Sequence, residues 1–231
     1  MTAPPAPESR AAFALDVRHV ATHANAVACL LAGRRAPVSV SWGGGSITAD
    51  VLLVRADADH AVQAPEGGFS ALYLSGLSWP GGSEVAAPVA GPLAYLAADA
   101  MRGRDDAQRE LRCALGQGAA PLSPAIEAIR KRLADDPMHR MSQLELGRRL
   151  GVERTTALRM FKAATGQTFR GYKRWTGLLH AIDQIMAGSG IGAAALDAGF
   201  ADAAHFSRAF RSAFGLSPTK ALNALVRSPE T

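Results

Sequence analysis

The period of the apolar positions changes near residue 92. Before it, the chain reads as short strands. Val27-Ala-Cys-Leu-Leu31 is a compact apolar run, and Val38-Ser-Val-Ser-Trp42 alternates apolar with polar residues before the tight turn Gly43-Gly44-Gly45. Thr48–Val54, His60–Gln63 and Phe69–Leu74 continue the rhythm, and Gly81-Gly82 and Pro88 end it. Short strands divided by Gly and Pro predict a small β-barrel or jelly roll. After Pro92 the period becomes helical. The expected helices are Leu93–Gly103, Ala107–Leu115, Pro124–Ala134, Ser142–Leu150, Thr155–Ala164, Phe169–Ala187, Ile191–Ala198, Ala203–Phe214 and Pro218–Leu225. The stretch from Gly116 to Pro121 reads as a joint. Ser142 followed by Glu145 fits a capping box, and Ser217-Pro218 fits a capped start with Pro at the first helical position.

The helical half repeats itself. Leu146–Gly166 and Ala195–Gly215 share the order helix, Gly-containing turn, helix, Gly stop. Arg159-Met-Phe161-Lys162 matches Arg208-Ala-Phe210-Arg211 at an offset of 49, and Gly151 matches Gly199 at 48. Such a turn, with apolar residues locking the second helix steeply against the first, is what a helix-turn-helix requires. On the last of these helices Phe206, Phe210, Ala213 and Phe214 fall on one side, and Ala204, Arg208 and Arg211 on another. The aromatic side is an anchor, and Phe161 is its counterpart in the first copy. Thr155, Arg159 and Lys162 then point outward.

Charge agrees with this division. Residues 1–120 carry 9 Arg and no Lys against 11 acidic residues, a net of −2, while residues 121–231 carry a net of +7. The basic half is the candidate for meeting a polyanion. Arginine suits base reading because its fork bonds O6 and N7 of guanine together. No 18-residue apolar run predicts a membrane span. The first residues lack a basic start and an apolar core, so the expected setting is the cytoplasm, with Cys29 and Cys113 as reduced thiols.

The residues from Leu144 to Pro218 closely resemble the DNA-binding domain of the AraC/XylS family of bacterial transcription regulators. The second unit carries the resemblance in Ile191, Gly199-Phe200, His205-Phe-Ser-Arg-Ala-Phe210, Phe214-Gly215 and Ser217-Pro218. The first unit shows a weaker counterpart in Leu150-Gly151-Val152, Arg159-Met-Phe161-Lys162 and Thr165-Gly166. The resemblance implies seven helices in two helix-turn-helix units, joined by the long helix Phe169–Ala187. That helix would space the two reading helices about 34 Å apart along one DNA face.

By position in the motif, base contacts fall on Thr155, Thr156 and Arg159 in the first unit and on Ala203, Ala204 and Arg208 in the second. Phosphate contacts fall on Lys162, Arg154, Arg211, His205, Lys173 and Arg174. For His205, packing at an interface stands level with a phosphate contact. Structural anchors are Phe161, Phe206, Phe210, Phe214, Gly151 and Gly199. Two departures from the family pattern carry consequences. Ala157 stands where a leucine is usual, so that helix is either rotated or underfilled. Ala203 and Ala204 replace polar residues and make no directional bond. Gly190 and Gly192 are expected to weaken their helix by about 1 kcal/mol each relative to Ala.

Residues 13 to 75 resemble the cupin-type effector domain that many family members carry, in the His23 region, Leu30-Leu31-Ala32-Gly33, Val51-Leu-Leu-Val54, His60-Ala-Val62 and Leu72-Tyr-Leu74. The expected architecture is therefore a two-domain α+β chain: a cupin-like β-barrel followed by an all-α DNA-binding domain. Its divisions are a disordered lead (1–12), the β domain (13–90), a helical dimerisation or linker segment (91–116), a linker (117–123) and the DNA-binding domain (124–227).

Trp42, Phe69 and Tyr73, with Trp79, either line an effector pocket or fill the core. His23 and His60 lack a third ligand, so neither metal nor cofactor is expected, and no enzymatic motif is present. The expected partners are double-stranded DNA, a small effector, a second copy of the chain and RNA polymerase, with no membrane. Two alternatives stay open at this stage: an interaction protein that binds no DNA, and a cupin-type metalloenzyme with an attached helical domain.

Overall fold

Alternating and continuous apolar runs both become strands. The computed structural model describes residues 12–75, 83–115, 123–136 and 141–225, so Trp79, Gly81-Gly82 and the Gly116–Pro121 joint lie outside the described residues. Nine strands are described: β1 (Ala12–Leu15), β2 (His19–His23), β3 (Ala28–Gly33), β4 (Val38–Trp42), β5 (Gly45–Ala49), β6 (Val51–Val54), β7 (His60–Gln63), β8 (Phe69–Leu74) and β9 (Ala86–Pro88). The helices are α1 (Pro92–Met101), α2 (Asp105–Ala114), α3 (Pro124–Asp135), α4 (Gln143–Leu150), α5 (Arg154–Thr165), α6 (Phe169–Met186), α7 (Ile191–Asp197), α8 (Ala203–Phe214) and α9 (Pro218–Ala224).

The strands form two open antiparallel sheets, not the expected barrel. One has the order β1-β8-β3-β6-β9 and the other β2-β7-β4-β5. The expected single strand Thr48–Val54 breaks at Asp50. Its first part pairs with β4 in one sheet, and its second with β3 in the other. No ladder joins the two sheets among the described residues, so each keeps two edges. One face of the larger sheet is covered by helices. Leu30, Leu53, Leu72 and Leu74 form one buried cluster with Ala97 and Ala100 of α1 and Leu111 of α2. Covering on that face explains why β6, Val-Leu-Leu-Val, is buried at all its positions instead of alternating.

Contacts divide the chain into two compact units, one within residues 118–209 and the other within residues 8–117 together with 210–231. In the latter, the chain end belongs to the β structure. Ala24 N–H donates to Ser212 O (3.2 Å) and Asp16 N–H to Ala224 O (2.7 Å). The Asn25 side-chain amide donates to Ala213 O at 2.6 Å. A bridge pairs Leu15 with Leu225, and Phe214 meets the Tyr73 ring edge-on at 5.5 Å.

His23 and His60 lie buried beside one another, ring centroids 4.3 Å apart. Each places Nδ1 against a backbone carbonyl, Ala21 O at 2.9 Å and Ala58 O at 2.8 Å. Burial, and then the neighbouring His60, hold His23 down to about 4 from 6.5. Burial also lowers His60, against the opposing pull of Asp59. As pH falls below about 6.5, unfolded imidazoles take up protons that the folded pair refuses. Stability of this unit is therefore fullest above that pH and declines as pH falls toward the folded value. Its denaturant midpoint should drop between pH 7 and 5, and a His23→Gln variant should flatten the drop. A wild-type midpoint constant over that range would contradict the arrangement.

The other unit has its own core. Phe161 of α5 meets Phe169 and Tyr172 of α6 edge-on, at 5.3 and 5.4 Å, with Leu133, Met141 and Leu146 around them. Ser142 caps α4 by accepting from Glu145 N–H at 3.1 Å, and Thr168 caps α6 by accepting from Gly171 N–H at 3.0 Å.

Candidate nucleic-acid interface

The first helix-turn-helix is α4 and α5. Gly151 ends α4 in the left-handed region (φ 68°), a conformation that favours glycine. A Cβ on Gly147 would lie 2.9 Å from Val152 O, so that glycine lets the turn pass close over α4. On α5, Ala157, Phe161 and Thr165 are buried. Thr155, Arg159, Met160, Lys162 and Ala163 are exposed, while Thr156 is half-buried at the edge of that face. Ala157 is 0% exposed, and Leu158 packs partly against the same cluster. The helix thus keeps its expected register on a smaller side chain.

The second unit is α7 and α8. Gly199 takes φ 83° in the turn. Close approach here is bought at Gly177 of α6, whose Cβ would meet Ala198 O at 3.0 Å. Phe206 is 0% exposed and meets Phe200 edge-on at 5.3 Å. Phe210 and Phe214 continue the stripe, 4.6 Å apart. The exposed side of α8 carries Ala203, Ala204, His205, Arg208 and Arg211. Gly190 proves to be the N-cap of α7, with φ −67°, so only Gly192 weakens the helix interior.

Each unit therefore presents a solvent-facing helix surface centred on one arginine, Arg159 or Arg208, opposite a buried anchor. Among the expected phosphate-contacting residues, Lys162, Arg174 and Arg211 are exposed. Arg154 is exposed and donates to Gln143 Oε1 at 3.0 Å, tying α5 to α4. Lys173 differs: its ammonium donates to Met141 O at 2.9 Å and lies 5.2 Å over the Phe169 ring. Burial lowers its pKa, which fits a group turned toward the protein.

The sequence reading missed Asp202, which caps α8 by accepting from His205 N–H at 2.6 Å. An Asp just before an apolar-periodic run was the available signal. It also missed Asn25, whose partner lies 188 positions away and leaves no local trace.

In the β unit, Phe69 and Tyr73 stand on one face of β8, while Trp42 belongs to β4 of the other sheet. None of the three lines the open cleft of about 460 Å³, which is bordered by Asp16, Arg18, His19, Lys220 and Asn223. Among the described residues, no group of three His, Cys, Asp or Glu is placed to hold a metal ion. No described helix is long and apolar enough to cross a membrane.

A helix-turn-helix domain family matches residues 146–224. No match is found among curated protein sequences. Among solved structures, the chain is similar to ToxT from Vibrio cholerae O395, at 13% identity and TM-score 0.61, over 93% of this chain and 96% of ToxT. It is similar to ToxT from strain SCE256 with an unsaturated fatty acid bound, at 13% identity and TM-score 0.61, over 95% and 97%. A third ToxT structure, bound to (E)-4-(8-methylnaphthalen-1-yl)but-3-enoic acid, matches at 12% identity and TM-score 0.60, over 92% and 97%. The chain thus carries a helix-turn-helix domain, and its fold is the one seen in the ToxT structures.

Proposed function

We propose that this chain is a sequence-specific DNA-binding transcription regulator that reads the major groove with α5 and α8. The observation that carries the reading is the pair of matching outward arginines, Arg159 and Arg208, each on a helix anchored from behind. Arg159 with Thr155 and Thr156 reads one half-site, and Arg208 reads the other. Lys162, Arg154, Arg174 and Arg211 serve the phosphates and set register. Double-stranded DNA is the partner, and the net +7 of residues 121–231 supplies the attraction. A small effector is a further partner, a reading that the ligand-bound ToxT structures of the same fold support, and the β unit is the place proposed for it. Assembly as a dimer, contact with RNA polymerase and a cytoplasmic setting complete the proposal.

Arg208→Ala should cost about 1–3 kcal/mol of discrimination at one base pair, read from affinities for a selected duplex and its single-base variants. Equal losses on selected and random DNA would make Arg208 a phosphate contact. The same titrations at rising salt should show a steep linear fall of log affinity. Binding that ignores salt would instead favour a role through protein contacts alone.

A further inference from the structure

The two helix-turn-helix units can be laid over one another through their anchors. The offset of 49 that pairs Arg159 with Arg208 and Phe161 with Phe210 also pairs Ala157 with Phe206, and both of these are 0% exposed. In that register Glu153, the N-cap of α5, falls on Asp202, which caps α8. Thr156 then falls on His205. Thr155 falls on Ala204, whose side chain has no polar atom, so the polar group that the second unit sets beside Arg208 on this face is a histidine.

His205 is held ready for such a role. Its own N–H is taken by Asp202 Oδ1 at 2.6 Å. Its ring stands edge-on to Phe200, with centroids 5.3 Å apart and planes at 75°. Ring Nδ1 accepts from Ala201 N–H at 3.4 Å. With Nδ1 acting as acceptor, the proton of the neutral ring sits on Nε2, so the ring offers one N–H donor away from the backbone. The residue is exposed and one helical turn before Arg208, on the same side of α8. Ala203 and Ala204 beside it have no donor or acceptor in their side chains.

We infer that His205 is a specificity-determining residue of the second unit, donating from Nε2 to a purine acceptor next to the base read by Arg208. Guanine offers N7 and O6 at the major-groove edge, and adenine offers N7. The assignment rests on the proposal that α8 reads DNA, and it replaces the phosphate contact expected from the motif. It gives this half-site two directional bonds instead of one.

The test uses the full chain, a duplex that the wild-type chain selects from a random library, and a shuffled duplex of the same composition. His205→Ala should weaken binding to the selected duplex about 5- to 20-fold and leave the shuffled duplex nearly unchanged. His205→Gln, which keeps an N–H at similar reach, should restore most of the loss. Replacing the contacted purine by its 7-deaza analogue should reproduce the loss with wild type and add little with His205→Ala. Equal weakening on both duplexes would show a phosphate contact and overturn the assignment. Unchanged selectivity in His205→Ala, with Arg208→Ala still impaired, would overturn it while leaving the regulator reading intact. A wild-type chain that selects no duplex would overturn both.

Discussion

Phe161→Ala should lower the stability of the helical unit by about 3–5 kcal/mol, the range found for deleting a buried phenylalanine. Its ring is fully buried and makes two edge-on contacts, with Phe169 and Tyr172 on α6. Its neighbour Ala157 is equally buried and too small to fill the vacated space. The cavity would open directly behind the exposed face that holds Arg159. Denaturant unfolding followed by helical circular dichroism would measure the loss. DNA affinity should fall with it, because α5 would no longer be held in one orientation. A loss below about 1 kcal/mol would mean that α5 is anchored elsewhere. Leu158→Ala makes a useful companion. Leu158 packs only partly against the cluster, so its removal should cost less.

Gly215→Ala should destabilise the β unit by about 2–5 kcal/mol. Two separate costs add. Gly215 has φ 69°, and an L-residue in that region costs about 1–2 kcal/mol. A Cβ there would also lie 2.5 Å from Ala21 O and 2.8 Å from His23 Nδ1, with Val20 in the way as well. Relieving such overlap in a packed interior typically costs about 1–3 kcal/mol more. Gly151→Ala supplies the control, since Gly151 has φ 68° but nothing within 4 Å of the added atom. The two variants share the conformational cost and differ in the contacts. If both lost the same stability, the close approach of the α8–α9 turn to β2 would be refuted. If Gly215→Ala lost more, the gap would measure that approach directly.

These two variants mark the difference between what was legible in the sequence and what was not. The role of Phe161 follows from spacing. An aromatic repeated at an offset of 49, between an outward arginine and a Gly stop, reads as an anchor before any coordinate is known. Helix limits were legible for the same local reason: Ser142 and Ser217 bond to backbone N–H groups three residues on, and glycines end α4 and α5. Strands β4, β7 and β8 followed from alternation and turn residues in the same way. The barrel did not survive, because closure depends on which strands pair across long separations. A break at one residue, Asp50, sends β5 and β6 to different sheets.

The sequence alone thus determined the helices, strands β4, β7 and β8, the duplicated helix-turn-helix units and the outward arginines, all written in local spacing and in one repeat. Only the tertiary structure decided that the sheets stay open, that Lys173 turns inward, that Asn25 holds the end of α8, and that the His205 ring stands edge-on to Phe200. Each of these depends on partners brought together by folding. The chain carries no periodic trace of a contact between residues 25 and 213, or of a carbonyl at Met141 waiting for an ammonium from α6. Local hydrogen bonds and helical period can be read in one dimension, whereas desolvation and close approach exist only once the chain has folded.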